Sequence, residues 1–195
     1  NNPLPDFNED DNKSLLGFVK KFKDVISITT DSIDKIALPV ARALTLNQEN
    51  MIPFDLIQLA FMSQEQQKLI DLIDFNNWES IENSGIFYWI NDIPSLADRL
   101  TKFAISCFND QQCLSLVILV CLQKFLILKS LFIKGGENAK GAFFSRDFTK
   151  QKNKNSAEKN AYSALKKHDY HNAATLFFLA DKLSIAIHII MEDIK

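Results

Sequence analysis

Apolar residues recur along this chain at intervals of three and four, the spacing of one helix face. Leu15, Leu16, Val19, Phe22, Val25 and Ile26 form the first such pattern. Asp31 opens a second through Ile33, Ile36, Ala37, Val40, Ala41 and Leu44, which Pro39 is expected to kink or split. Pro53 stands where a helix start tolerates proline, with Leu56, Leu59, Ala60 and Phe61 following. Ser63-Gln64-Glu65-Gln66 fits a capping box, in which Ser63 and Gln66 exchange side-chain bonds with each other's backbone N–H. Leu69, Ile70, Leu72 and Ile73 give the helix after it an apolar face. Trp78 and Ile81 anchor a short helix within the polar stretch 76–84. The aromatic cluster from Gly85 to Trp89 calls for burial.

Asp92, Pro94 and Ser95 mark the next helix start, ahead of Leu96, Leu100, Phe103, Ala104 and Cys107. Asp110 is placed to cap one long apolar helix running to Ile133, which Gly135-Gly136 would end in a left-handed conformation. A Lys-rich connection spans 134–155. Helix resumes at Ser156, with breaks near His168-Asp169 and Asp181-Lys182. No apolar–polar alternation is long enough for a sheet; the best strand candidate, Asp24 to Thr30, merges with a helical pattern. The expected fold is all-α, with antiparallel helical hairpins stacked as a short α-solenoid. Residues 1–13, rich in Asn, Asp and Pro, read as a disordered lead-in, and 14–195 as a single helical domain. The Asn-Asn-Pro opening and the apolar pattern at the close suggest a fragment of a larger scaffold.

Composition narrows the functional classes. The 195 residues are 47% apolar and 24% charged, a globular balance. Only 5 are glycine, which leaves little material for phosphate-cradling loops. Leu114 to Ile133 has the length of a membrane span, but Gln123, Lys124 and Lys129 interrupt it, so a buried helix is expected. Cys107, Cys113 and Cys121 are odd in number, contain no C-x-x-C and sit among apolar neighbours. They suggest a reducing compartment and small core residues.

Catalytic chemistry finds little support. His168 and His171 are three apart but lack a third ligand nearby. His188 sits among Ile185, Ile187, Ile189 and Ile190 and reads as a semi-buried, hydrogen-bonded histidine. Asp71 and Asp74 fit an exposed acidic face. With no nucleophile-elbow, Walker-type or H-E-x-x-H pattern, the chain is read as a non-enzyme without metal or cofactor.

Charge is unevenly spread. The net charge is −2. Residues 1–100 carry 16 acidic and 8 basic side chains, whereas 124–167 carry 11 basic and 3 acidic. Arg146, Lys150, Lys152, Lys154 and Lys159 interleave with Phe143, Phe144 and Phe148, and Lys166 and Lys167 follow. These seven cations are the candidate protein interface. A solvated loop with inward phenylalanines, a protein contact, an anionic membrane surface and single-stranded nucleic acid all stay open, nucleic acid least favoured.

Ala161, Ala164, Tyr170, Ala173, Phe177 and Ala180 match the later small and large positions of a tetratricopeptide-like hairpin, although Ala157 and Asn160 replace its early Trp and Leu. Three blocks then resemble the C-terminal helical region of the large subunit of the RAVE complex, the family that includes the DmX-like proteins. Gly85-Ile86-Phe87-Tyr88-Trp89 is similar to the family's G-x-x-Y-W opening, with Leu96 to Phe108 as the helix after it. The second block runs from Asp110, Cys113 and Leu114 through Cys121-Leu122-Gln123-Lys124 to Leu131-Phe132. The third and most specific holds Phe144 and Phe148, Lys159-Asn160-Ala161-Tyr162, Leu165, His168, Tyr170, Ala173-Ala174, Phe177-Phe178-Leu179-Ala180-Asp181 and Leu183. Ser115, Val117 and Val120 depart from the family's Ala, Tyr and Ala, and the first 84 residues match only in helical character.

The resemblance implies a non-catalytic scaffold that promotes assembly of the vacuolar proton-pumping ATPase, bringing its peripheral sector onto its membrane sector. It implies ATPase subunits and the smaller RAVE subunit as partners, and a cytoplasmic location peripheral to vacuolar or endosomal membranes, where anionic lipid could add a contact. The alternative class is a generic interaction module of a trafficking or coat complex.

Overall fold

The computed structural model describes residues 17, 19, 20, 23, 25, 27, 28, 33–46 and 50–192. The expected lead-in at 1–13, the helix start at Asp31 and most of the strand candidate 24–30 lie outside the described residues. The fold is all-α, and no strand occurs among the described residues. Two compact units, residues 1–96 and 97–195, divide the chain.

In the first unit, α1 (Leu38–Leu46), α2 (Phe54–Met62), α3 (Gln66–Ile70), α4 (Trp78–Asn83) and α5 (Ile86–Trp89) surround a core of Val40, Ala41, Ala60, Leu69, Ile70, Ile81, Ile86 and Trp89. Asp34 prepares the start of α1 by accepting a bond from the Ala37 N–H at 2.6 Å. Pro39 then falls in the first turn, where a missing N–H costs nothing, so it neither kinks nor splits the helix. The Ser63 hydroxyl donates to Asp34 at 2.8 Å and ties the end of α2 to this start.

The expected capping box does not form. Glu65 precedes α3 without a side-chain cap bond. Gln66 turns inward instead. Its Nε2 donates to the carbonyls of Ala60 (3.1 Å) and Trp89 (2.8 Å), and its Oε1 accepts from the Asn91 N–H. One buried amide thus joins α2, α3 and the end of α5. Asn77 caps α4 by accepting from the Glu79 N–H. Gly85 has φ +62°, and a Cβ there would come within 3.1 Å of Ile57. The aromatic cluster after it is only half core: Ile86 and Trp89 are fully buried, while Phe87 and Tyr88 face outward.

The division between the units falls inside α6 (Ile93–Ser106). The second unit continues with α7 (Gln112–Cys121), α8 (Phe125–Lys134), α9 (Asn138–Phe144), α10 (Gln151–Leu165), α11 (Tyr170–Leu179) and α12 (Leu183–Glu192). The single long apolar helix of the sequence reading is therefore two helices. Gln123 takes a left-handed conformation at φ +56°, with its N–H bonded to Val120 O and the Lys124 N–H to Leu119 O. That pair of bonds closes α7 as a Schellman motif. Asp110 caps nothing, because the N-cap position is Gln111, one residue later.

The same closure recurs at Gly136 after α8 and at Asp181 after α11. Both α7–α8 and α11–α12 are ten-residue helices joined across three-residue turns, 122–124 and 180–182. The Lys-rich stretch 134–155, expected as a connection, holds α9 and the first turn of α10. Among the described residues no helix is long and apolar enough to cross a membrane.

Two packing centres organise this unit. One is a chain of phenylalanine rings: Phe132 and Phe144 stack at 5.4 Å, Phe143 meets both Phe144 and Phe148, and Phe108 and Phe125 extend the two ends. Gly141 lets α9 approach α8, since a Cβ there would lie 3.1 Å from Ile133 and 3.3 Å from the Lys129 carbonyl. The other centre is the tetratricopeptide-like hairpin α10–α11 with α12. Ala161, Ala173, Ala174, Phe177, Ala186 and Ile189 form its buried cluster. Small residues let the helix axes close up, and the Phe177 ring, 5.0 Å from Tyr162, fills the groove.

Candidate functional site

The F-x-x-x-F block, read from sequence as a basic loop, is a tight turn between α9 and α10. Phe144 and Phe148 are buried in the ring chain, while Arg146 and Asp147 project to solvent. Asp147 organises the turn: its Oδ1 accepts from the Thr149 hydroxyl and N–H, and its main-chain carbonyl accepts from Asn153. The Thr149 hydroxyl and N–H, aided by Lys150 at 3.7 Å, hold its carboxyl below the usual carboxylate range. Arg146 lies 5.0 Å over the Phe143 ring and donates to the Ser156 hydroxyl. Cation–π contact and hydrogen bond together restrict a side chain that would otherwise be mobile.

The seven predicted cations separate into groups. Arg146 and Lys167 meet across an open groove of about 470 Å³, floored by Phe143, Phe144, Ala164 and Leu176. Lys140 joins them on the rim, and Asn160 and Ser163 line the α10 wall. Lys140 forms an ion pair with Glu137 and lies over the Phe132 ring. That bond from Lys140, with a smaller one from Gln112, keeps the Glu137 carboxyl below its ordinary range. Asp169, also on the rim, accepts from the Asn172 N–H and side-chain amide and so serves as N-cap of α11.

Lys152, Lys159 and Lys166 recur every seven residues and form an exposed column along α10. Lys154 is elsewhere: its ammonium pairs with Asp181 at 3.0 Å and its side chain is three-quarters covered, so it braces α10 against the α11–α12 turn. Lys150 belongs to the Asp147 turn. Lys140 entered the sequence analysis only as the start of the basic segment 140–167 and Asn160 only as a hairpin position, while Ser163 and Leu176 were not singled out. Only Lys140 left a signal there, three residues before Phe143 and hence on the same helix face.

The remaining candidates resolve without catalytic geometry. His168 occupies a left-handed position before α11 (φ +58°), its Nδ1 2.9 Å from the Tyr170 hydroxyl, so it shares no helix face with His171. His188 is exposed rather than semi-buried. Asp71 follows the last residue of α3, and Asp74 accepts from the Asn76 N–H in a turn, so the two share no helical face. No three His, Cys, Asp or Glu gather into a metal-binding group among the described residues. The cysteines are unpaired; Cys107 is half-buried, and Cys113 and Cys121 are exposed rather than core. Cys121 borders a small apolar cleft with Val117, Phe178 and Ile187, and desolvation there pushes its thiol up, away from the reactive thiolate.

Residues 1–195 match the family described as RAVE protein 1 C terminal. The chain is similar to DmX-like protein 1 of Mus musculus, 22% identical over 180 residues, covering 89% of this chain and 6% of that protein. It is similar to Regulator of V-ATPase in vacuolar membrane protein 1 of Saccharomyces cerevisiae, 29% identical over 147 residues, covering 71% of this chain and 11% of that protein. The Schizosaccharomyces pombe protein of the same name is 26% identical over 125 residues, covering 60% and 10%. The chain thus spans a small fraction of the length of these relatives.

Proposed function

The chain belongs to the RAVE protein 1 C-terminal family, and on that premise we propose that it is a non-catalytic helical scaffold in the regulation of the vacuolar proton-pumping ATPase. Its work is to help bring the peripheral ATPase sector onto the membrane sector. The observation that carries this reading is the family match along the whole chain, together with relatives named as regulators of V-ATPase. Packed helical hairpins suit the role because they hold an extended surface rigid while many side chains stay available to partners.

Within this reading the partner contact lies on the basic side of α9–α10: Arg146 and Lys167 at the groove, with Lys152, Lys159 and Lys166 along α10. Lys150 and Lys154 support the surface through their acidic partners. The protein acts on the cytoplasmic side of the vacuolar or endosomal membrane.

The test is affinity capture from cells with a tag on the protein that carries this chain. Recovery of peripheral ATPase subunits and of the smaller RAVE subunit is expected. Recovery of neither, with the tagged protein expressed and folded, overturns the proposal.

A further inference from the structure

We propose that the groove between α9 and the α10–α11 hairpin docks an acidic polypeptide segment bearing one large apolar side chain between its carboxylates. This deepens the scaffold reading and rests on it for the setting. Charge complementarity selects the occupant. Lys140, Arg146 and Lys167 stand around the groove, while its floor is apolar, built from Phe143, Leu176 and their neighbours. A floor of this kind rewards a buried aromatic or aliphatic side chain, and cations spaced around it reward carboxylates on either side.

The groove volume of about 470 Å³ is enough for such an anchor with its flanking backbone. Ser163 and Asn160 on the α10 wall offer hydroxyl and amide groups to that backbone. Arg146 is already held on the Phe143 ring and on Ser156, so less side-chain entropy is lost when it takes a carboxylate in its planar fork.

The same rim disfavours phosphate-rich ligands. Asp169 on the rim caps α11 beside Lys167, and Glu137, outside the groove lining, pairs with the Lys140 ammonium. Those carboxylates leave too little uncompensated positive charge for a dense polyanion such as nucleic acid or a sheet of anionic lipid. Two separated carboxylates on a peptide need only Arg146 and Lys167. The cations also surround a concavity instead of projecting to one plane, as a membrane contact would require.

The test is fluorescence anisotropy on the 195-residue chain with a fluorescein-labelled peptide, Ser-Asp-Ser-Phe-Ser-Asp-Ser, at near-physiological salt. Three comparators accompany it: the same peptide with Ala for Phe, vesicles of phosphatidylcholine with phosphatidylserine, and oligo-uridine. We expect saturable peptide binding, weakened about tenfold by Ala for Phe and at least tenfold by the double variant R146E/K167E. Both substituted side chains are exposed, and an unchanged melting temperature confirms that the fold is intact. Absence of peptide binding overturns the proposal. So does tighter binding of vesicles or oligo-uridine that is lost in the same variant, because the surface would then read phosphate. The two proposals fail separately: ATPase capture without peptide binding removes only the groove, and peptide binding without ATPase capture removes only the scaffold setting.

Discussion

Gln66 is a single amide on which three helices converge. Its side chain is buried and satisfies the carbonyls of Ala60 and Trp89 and the N–H of Asn91. Gln66→Ala leaves the buried Trp89 carbonyl and the Asn91 N–H without these partners, while the Ala60 carbonyl keeps its bond from the Ser63 N–H, an expected cost of about 2–3 kcal/mol. Trp78 and Trp89 both lie in the first unit, so tryptophan fluorescence during urea unfolding reads this loss directly; an unchanged midpoint would contradict the role. Asp34 adds a pH dependence. Desolvation opposes its charge, but bonds from the Ala37 N–H, the Ser63 hydroxyl and the Gln64 and Glu65 N–H groups outweigh it and lower the pKa. A lowered folded-state pKa stabilises above the unfolded value of about 3.9, and the contribution is lost as pH falls through the folded value. Asp34→Asn should therefore destabilise at pH 7 and shrink the difference from the parent chain as pH drops through that range, as measured by thermal melts across pH 2–7.

Helix ends and helix faces behave differently at the scale of elements. The hairpin α10–α11 depends on small residues: Ala161 and Ala173 are fully buried where the helices meet. Ala173→Leu forces extra volume into that contact and should cost about 1–3 kcal/mol, read as a lowered midpoint by circular dichroism. The turn at Gln123 should respond in the opposite direction. Its left-handed backbone strains a residue with a Cβ by about 1–2 kcal/mol, and glycine's entropy loss returns part of that. Gln123→Gly is expected to raise stability by about 0.5–1 kcal/mol; a lower melting temperature would show that the Gln123 side chain has an unrecognised contact. Helix faces, the Gly135-Gly136 stop and the breaks at His168 and Asp181 were legible, because burial periodicity and left-handed propensity are local properties. The break at Gln123 was not, since an uninterrupted apolar run looks the same whether it forms one helix or two folded back together. Nor was the Gln66 staple: the capping-box spacing was present, but a buried site nearby offered the glutamine four partners instead of one.

The whole molecule is electrically divided although it is nearly neutral. A net charge of −2 and a sequence pI of about 5.9 predict retention on an anion exchanger alone at neutral pH. The 11 basic against 3 acidic side chains between 124 and 167 predict something else. At low ionic strength the chain should also bind a sulfonate matrix, and K152E/K159E/K166E should abolish that retention with circular dichroism unchanged. Retention should fade near physiological salt, where the Debye length is about 8 Å. The sequence by itself determined the helical class, the positions of most helices, the charge division and the family, because these depend on local periodicity, composition and motif. Only the tertiary structure decided which cations lie together. Arg146 and Lys167 are distant along the chain yet share one groove, Lys140 joins them from α9, and Lys154 is withdrawn by Asp181. That assortment depends on where the turn after α9 sets the α10–α11 hairpin across the groove from it, a placement that no local pattern encodes.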